Sequence, residues 1–173
     1  KEIIEICKLG KKYNSLVVID EAYYHFNKVT AKSLINKFQN LIIVRTFSKA
    51  FGLAGMRIGY TISNKKIIQF MMSIKPIYEI NSLNIKLVAF FLKNLMIMKN
   101  YVKEVSKARL LFKNFLKKYN IEMIGKYSNT VLFKLRDNTQ VKRMVSKLLK
   151  KKFIVRPMTI DDDAFIRCTL GSV

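Results

Sequence analysis

Asn40-Leu41-Ile42-Ile43-Val44-Arg45-Thr46-Phe47-Ser48-Lys49-Ala50-Phe51-Gly52-Leu53-Ala54-Gly55-Met56-Arg57-Ile58-Gly59-Tyr60 is the stretch on which the reading of this chain turns. Leu41 to Val44 is an apolar, mostly β-branched run, the signature of a buried strand. It delivers Thr46, Ser48 and Lys49 to the mouth of a turn that holds Gly52 and Gly55, and Arg57 follows. One amine, two hydroxyls and one guanidinium therefore gather at the end of a strand. A phosphorylated aldehyde needs such a set: an amine for its carbonyl, and hydroxyls with a fork of N–H donors for its phosphate.

A second segment upstream, Val17-Val18-Ile19-Asp20-Glu21-Ala22-Tyr23, has the same form of apolar strand ending in polar residues. Together, S-K-A-F-G-L-A-G-M-R-I-G-Y (Ser48 to Tyr60) and V-V-I-D-E-A-Y resemble the fold-type-I, pyridoxal-phosphate-dependent aminotransferases, and within them the histidinol-phosphate aminotransferase group. The two segments occur in the family's order and at a comparable separation. The resemblance implies an α/β fold: part of the large cofactor domain, a mixed and mostly parallel sheet with helices, over residues 1–100. A small α+β carboxyl-terminal domain is expected over residues 101–173. The implied activity is transfer of an amino group from a donor such as glutamate to a keto or aldehyde acceptor. An amino-acid-phosphate decarboxylase on the same scaffold is the alternative within this chemistry.

The resemblance also assigns roles to residues. Lys49 is the lysine that binds the cofactor aldehyde and moves the proton. Asp20 faces the pyridine nitrogen, Tyr23 the 3-oxygen, and Thr46, Ser48 and Arg57 the phosphate. In Phe165-Ile166-Arg167-Cys168-Thr169-Leu170-Gly171, Arg167 corresponds to the arginine that clamps the substrate carboxylate. Arg156 corresponds to a second arginine near the substrate. Between them the chain has Asp161-Asp162-Asp163, where relatives carry a glycine-containing loop. From the residues alone, Asp20 closing an apolar strand is a costly carboxylate without a cationic partner. The competing role for it is a helix N-cap. His25, the single histidine, reads as a turn residue.

Composition bounds the other possibilities. Half of the 173 residues are hydrophobic, and a mean hydropathy of +0.09 is ample for a core, which excludes bulk disorder. No apolar run approaches the roughly 18 residues of a membrane span. Cys7 and Cys168 are far apart, without a C-x-x-C pair, so neither a metal site nor a disulfide framework is expected. Two free thiols suit a reducing cytoplasm. The net charge of +22 raises a nucleic-acid-binding module as a rival of another class. Its lysines are scattered among Ile, Asn and Phe, as an AT-biased coding sequence gives, and no nucleic-acid motif accompanies them. Small-molecule substrates and, at full length, a homodimer are the expected partners. A degenerate, non-catalytic remnant is a third possibility, which the intact Asp20, Tyr23, Lys49, Arg57 and Arg167 argue against.

Taken in order, a helix over Lys1 to Tyr13 stopped by Gly10 precedes a strand from Leu16 to Ile19. A short helix is expected around Lys32 to Lys37, a strand over Ile58 to Ser63, and a helix over Asn64 to Ser73 broken by Pro76. Ser82 caps a helix carrying Leu83, Leu87, Phe90, Phe91 and Leu95 on one side. A long helix runs from Asn100. Strands at Ile121–Ile124 and Thr130–Leu135, a helix at Thr139–Lys150, and strands at Phe153–Arg156 and Phe165–Thr169 follow. The chain lacks an initiator methionine and closes on Gly171-Ser172-Val173. The resemblance covers nearly all of it but only the carboxyl-terminal half of a typical member. A piece of a longer protein, or half of a split gene, inactive alone, is the expectation.

Overall fold

The computed structural model describes residues 1–77 and 79–172; Val173 of the closing tripeptide lies outside them. The chain divides into two compact units, Lys1–Met98 and Lys99–Val173.

The first unit is built on a three-stranded mixed sheet. β1 (Val17–Asp20) pairs in parallel with β2 (Leu41–Thr46), and β2 pairs antiparallel with β3 (Gly59–Ser63). β2 is central, which is why its apolar run is continuous: Leu41, Ile42 and Ile43 are all buried. β1 lies at an edge and alternates, Val17 turned into the core and Val18 exposed. Cys7 of α1 (Glu2–Lys12), Val17, Leu41, Ile43, Ala31 and Ile35 form one apolar cluster. α2 (Tyr24–Asn27) follows the end of β1, and a single 3-10 turn at Lys32–Leu34 replaces the expected short helix.

Gly10 does not stop α1, which continues to Lys12. A Cβ there would stand 2.8 Å from Val17 Cγ2 and 2.9 Å from Asn40 Nδ2. The glycine thus serves the close approach of helix and strand. Asn40 completes that junction by donating to the carbonyls of Cys7 and Ser15, each at 3.1 Å.

α3 (Lys65–Ile74) begins at Asn64, whose side chain accepts from Ile67 N–H at 3.1 Å. α4 (Ser82–Lys93) is capped by Asn81 rather than Ser82: the Asn81 side chain accepts from Asn84 N–H at 2.8 Å. Its apolar stripe is not a buried face. Leu83 is 71% exposed, Phe90 is exposed too, and Leu95 already belongs to α5 (Leu95–Lys117). α5 thus starts five residues before Asn100, just past the C-cap Asn94 of α4.

The second unit carries a four-stranded antiparallel sheet in the order β4-β5-β7-β6, with β4 at Met123–Ile124, β5 at Thr130–Leu135, β6 at Arg156–Ile160 and β7 at Asp163–Thr169. α6 (Asn138–Lys150) opens on Asp137, which accepts from Gln140 N–H at 2.7 Å. Leu116, Phe133, Leu135, Val141, Ala164 and Ile166 make the core. The expected strand at Phe153–Arg156 is displaced. Ile154 is 88% exposed and extended pairing begins only at Arg156. β6 accepts Pro157 because it is an edge strand, where a missing N–H costs no ladder bond. The supposed acidic loop is the two-residue turn of a hairpin. Asp161 and Asp162 both have positive φ, 46° and 68°, between Ile160 and Asp163, which are paired. Among the described residues no helix is long and apolar enough to cross a membrane.

Candidate functional site

Parallel pairing of β1 with β2 sets Asp20 beside Val44, so both strands point their carboxyl ends the same way. Ligands collect at such ends in α/β sheets. Beyond β2 the chain turns sharply. The Thr46 hydroxyl accepts from Ser48 N–H at 3.0 Å and donates to the Ile58 carbonyl at 3.4 Å. Leu53 N–H returns to the Phe47 carbonyl at 3.1 Å, and Gly52 takes a φ of +70°, which only glycine adopts without strain. Phe47, Ala50 and Phe51 bury their side chains beneath the turn. Lys49 rises from it, its Nζ 5.7 Å from the centre of the Tyr23 ring.

Asp20 is exposed, so the expectation of a costly buried carboxylate is not what the structure shows. Its Oδ1 accepts from Ala22 N–H at 2.8 Å, an Asx turn rather than a helix cap. Arg57 has a left-handed backbone (φ +52°), and its exposed guanidinium donates to the Ala54 carbonyl at 3.0 Å. Among the described residues, Asp20, Lys49 and Arg57 take part in no ion pair. A carboxylate, an amine and a guanidinium thus border the ends of β1 and β2 with their charges uncompensated by one another.

Two features here were not read from the sequence. Glu21 and Arg45 form a buried ion pair at 2.8 Å, their side chains 5% and 8% exposed. Burial works against the Arg45 charge, but hydrogen bonds to Tyr60 and Glu21 outweigh it and raise the guanidinium above its ordinary value. The available signal was two opposite charges embedded in apolar strands, one after Asp20 and one before Thr46. His25 sits edge-on to Phe51, ring centres 5.0 Å apart at 87°, with Nε2 buried and unpartnered. Burial, then the charges of Lys28 and Arg45, hold it down to about 4. It is a neutral packing residue between α2 and the lysine turn.

In the second unit Arg156 and Arg167 stand directly opposite on β6 and β7. Two like charges in register oppose each other unless an anion lies between them. Of the three acids in the hairpin, Asp163 is engaged by Lys134 Nζ at 2.6 Å. Asp20, Tyr23, Thr46, Ser48, Lys49 and Arg57 thus belong to the first unit, and Arg156 and Arg167 to the second. Among the described residues no cluster of His, Cys, Asp or Glu could hold a metal ion.

Comparison with known proteins gives a consistent result. Residues 1–172 match the family described as aminotransferase class I and II. A histidinol-phosphate aminotransferase of Thermoanaerobacter pseudethanolicus is 37% identical over 88% of this chain and 42% of its own length. The structure of a histidinol-phosphate aminotransferase from Sinorhizobium meliloti in complex with pyridoxal-5'-phosphate superposes with a TM-score of 0.80 at 24% identity, over 90% of this chain and 44% of that one. The L-threonine-O-3-phosphate decarboxylase of Porphyromonas gingivalis shares the fold, with a TM-score of 0.79 at 21% identity over 98% of this chain and 54% of that one. The chain spans less than half the length of the Thermoanaerobacter relative.

Proposed function

The chain belongs to the aminotransferase class I and II family, and from that premise we propose that it carries the lysine-bearing part of a pyridoxal-phosphate-dependent aminotransferase. The reaction is amino transfer between an amino acid such as glutamate and a keto or aldehyde acceptor, which the histidinol-phosphate aminotransferase name of its relatives supports. The activity is proposed for a protein of the relatives' length that contains these residues. The observation that carries it is the convergence at the strand ends. Asp20 ends β1 and Tyr23 follows it, Ser48 and Lys49 follow β2, and the Lys49 amine lies 5.7 Å from the Tyr23 ring centre.

The residues present suit that cofactor. A carboxylate, an amine and a guanidinium lie without ion-pair partners among the described residues. They match a ring nitrogen, an aldehyde and a phosphate. When bound, pyridoxal phosphate supplies an electron sink for a substrate carbanion. Lys49 holds the aldehyde and afterwards carries the proton at its Nζ. Asp20 keeps a proton on the ring nitrogen by charge pairing. The Tyr23 hydroxyl orients the ring, and Ser48, Thr46 and Arg57 bind phosphate, Arg57 through its planar fork. The Thr46 hydroxyl can join because its bond to Ile58 is long. Arg167, with Arg156 opposite, binds the substrate's anionic group.

The two units, Lys1–Met98 and Lys99–Val173, correspond in this reading to the end of the large domain and to the small domain, for which the sequence suggests 1–100 and 101–173. The working protein is a cytoplasmic homodimer. The test is chemical. Incubation with pyridoxal phosphate, borohydride reduction and peptide mapping place the pyridoxyl group on Lys49 among all the lysines. Preferential labelling elsewhere overturns the assignment. In the complete protein, amino transfer from glutamate without release of carbon dioxide separates this reading from the decarboxylase.

A further inference from the structure

Burying an ion pair rarely stabilises a fold more than apolar residues of the same size would. The pair of Glu21 and Arg45 therefore calls for another account. Each side-chain nitrogen and oxygen in it has at least one partner. Glu21 Oε1 accepts from Ala31 N–H at 2.7 Å. Its Oε2 accepts from Thr30 Oγ1 at 2.9 Å and from Arg45 Nε at 2.9 Å. Arg45 Nη2 also meets the Thr30 hydroxyl at 2.8 Å, and Nη1 reaches the Tyr60 hydroxyl at 3.5 Å. The guanidinium carbon lies 3.5 Å over the centre of the Tyr24 ring. Glu21 N–H, for its part, donates to the Val44 carbonyl at 2.9 Å.

The position of the pair along the chain gives it a role. Glu21 directly follows Asp20, Tyr24 directly follows Tyr23, and Arg45 directly precedes Thr46. Strand alternation turns Arg45 to the face opposite Val44 and Thr46, so the pair acts through the backbone. We propose that Glu21 and Arg45 are positioning residues: their ion pair ties the Asp20–Tyr23 segment to the Thr46–Lys49 turn and so sets carboxylate, tyrosine and amine against one another. The proposal rests on the reading of those residues as the cofactor site. A pair that served only general stability would have no reason to reach both segments and the Thr30–Ala31 loop at once.

The test uses a protein of the relatives' length that contains this chain, with Glu21→Gln, Arg45→Lys and the neutral double variant Glu21→Gln/Arg45→Gln. Two readouts are taken: hydrogen exchange by mass spectrometry, and the share of borohydride-fixed pyridoxal phosphate found on Lys49. The single variants raise exchange in residues 20–24 and 46–52 together, by about tenfold, while Leu41–Ile43 hold their protection. Lys49 loses its labelling preference by a similar factor. In the double variant no charge is left unpaired, so the thermal midpoint recovers, yet the preference for Lys49 stays lost. Recovery of that preference along with stability would show the pair to be a stabilising element only. Loosening confined to residues 28–31 would overturn the proposal as well. Random labelling of the unaltered chain would instead defeat the cofactor reading, leaving the exchange pattern to decide whether the pair couples the two segments. Should Glu21→Gln fail to fold, Arg45→Lys keeps the charge and carries the same readouts.

Discussion

At the scale of single residues, the proposed chemistry separates Asp20 from Lys49. Asp20→Asn removes the charge that would hold a proton on the ring nitrogen but leaves the Asx turn to Ala22 in place. In the complete protein, cofactor affinity is expected to persist while amino transfer falls by about 100-fold, the scale of one lost preorganised electrostatic partner. Single-turnover absorbance measures the rate and equilibrium titration the affinity. His25 gives a prediction of another kind. Its folded value, held at about 4 against an ordinary 6.5, means that the folded state binds fewer protons than the unfolded chain between those limits. Its contribution to stability is complete above 6.5 and is lost as pH falls towards about 4. The thermal midpoint should drop between about pH 7 and about pH 5.5, where an ordinary histidine charges before the carboxylates do. His25→Phe should flatten that slope.

At the scale of elements, the helix–strand junction at Gly10 is the sharpest case. By propensity alone, Gly10→Ala would favour α1 by about 1 kcal/mol. The added methyl would meet Val17 at 2.8 Å and the Asn40 amide at 2.9 Å. Asn40 cannot retreat without giving up its bonds to Cys7 and Ser15. Overpacking costs about 1–3 kcal/mol, so the variant is expected to lose about 1 kcal/mol net, seen as a lower urea midpoint at unchanged slope. Elements governed by local pattern were legible in the sequence. β2 was, because a central strand buries both faces, and α6 was, because its period and its start are plain. Elements governed by position in the sheet were not. The strand was expected to end at Arg156 and three consecutive aspartates stood in the place of a loop, yet an edge strand tolerates Pro157 and a two-residue turn accepts aspartate at positive φ. The apolar stripe of α4 read as a core face because periodicity says which residues share a side, not whether anything covers that side. Within the site, the polar residues after each apolar run were visible. The Glu21–Arg45 pair was not, since it depends on the register of two strands and on a loop ten residues away.

For the molecule as a whole, charge outweighs every other surface property. Five ion pairs occur among the described residues; each holds one charge of either sign, so the net charge of +22 stands whatever pairs form. Self-repulsion then destabilises the compact state. Raising salt from about 20 mM to about 300 mM shortens the screening length from roughly 20 Å to roughly 6 Å. The thermal midpoint of the chain is expected to rise across that range. A flat or falling midpoint would mean that counter-charges already compensate the lysines. Phe70, Met72 and Ile74 on α3 and Leu83 and Phe90 on α4 are exposed as well.

The lone imidazole has a practical consequence. With one histidine in the chain, the Cε1 proton of His25 gives a single histidine line once the amide protons are exchanged for deuterium, with no need for assignment by mutation. Its ring meets Phe51 nearly at a right angle, centres 5.0 Å apart, so aromatic ring currents should move that line away from its free-chain position. Phe51 lies two residues past Lys49. One unlabelled spectrum would therefore report, in real time, whether the lysine turn is seated as a ligand is added.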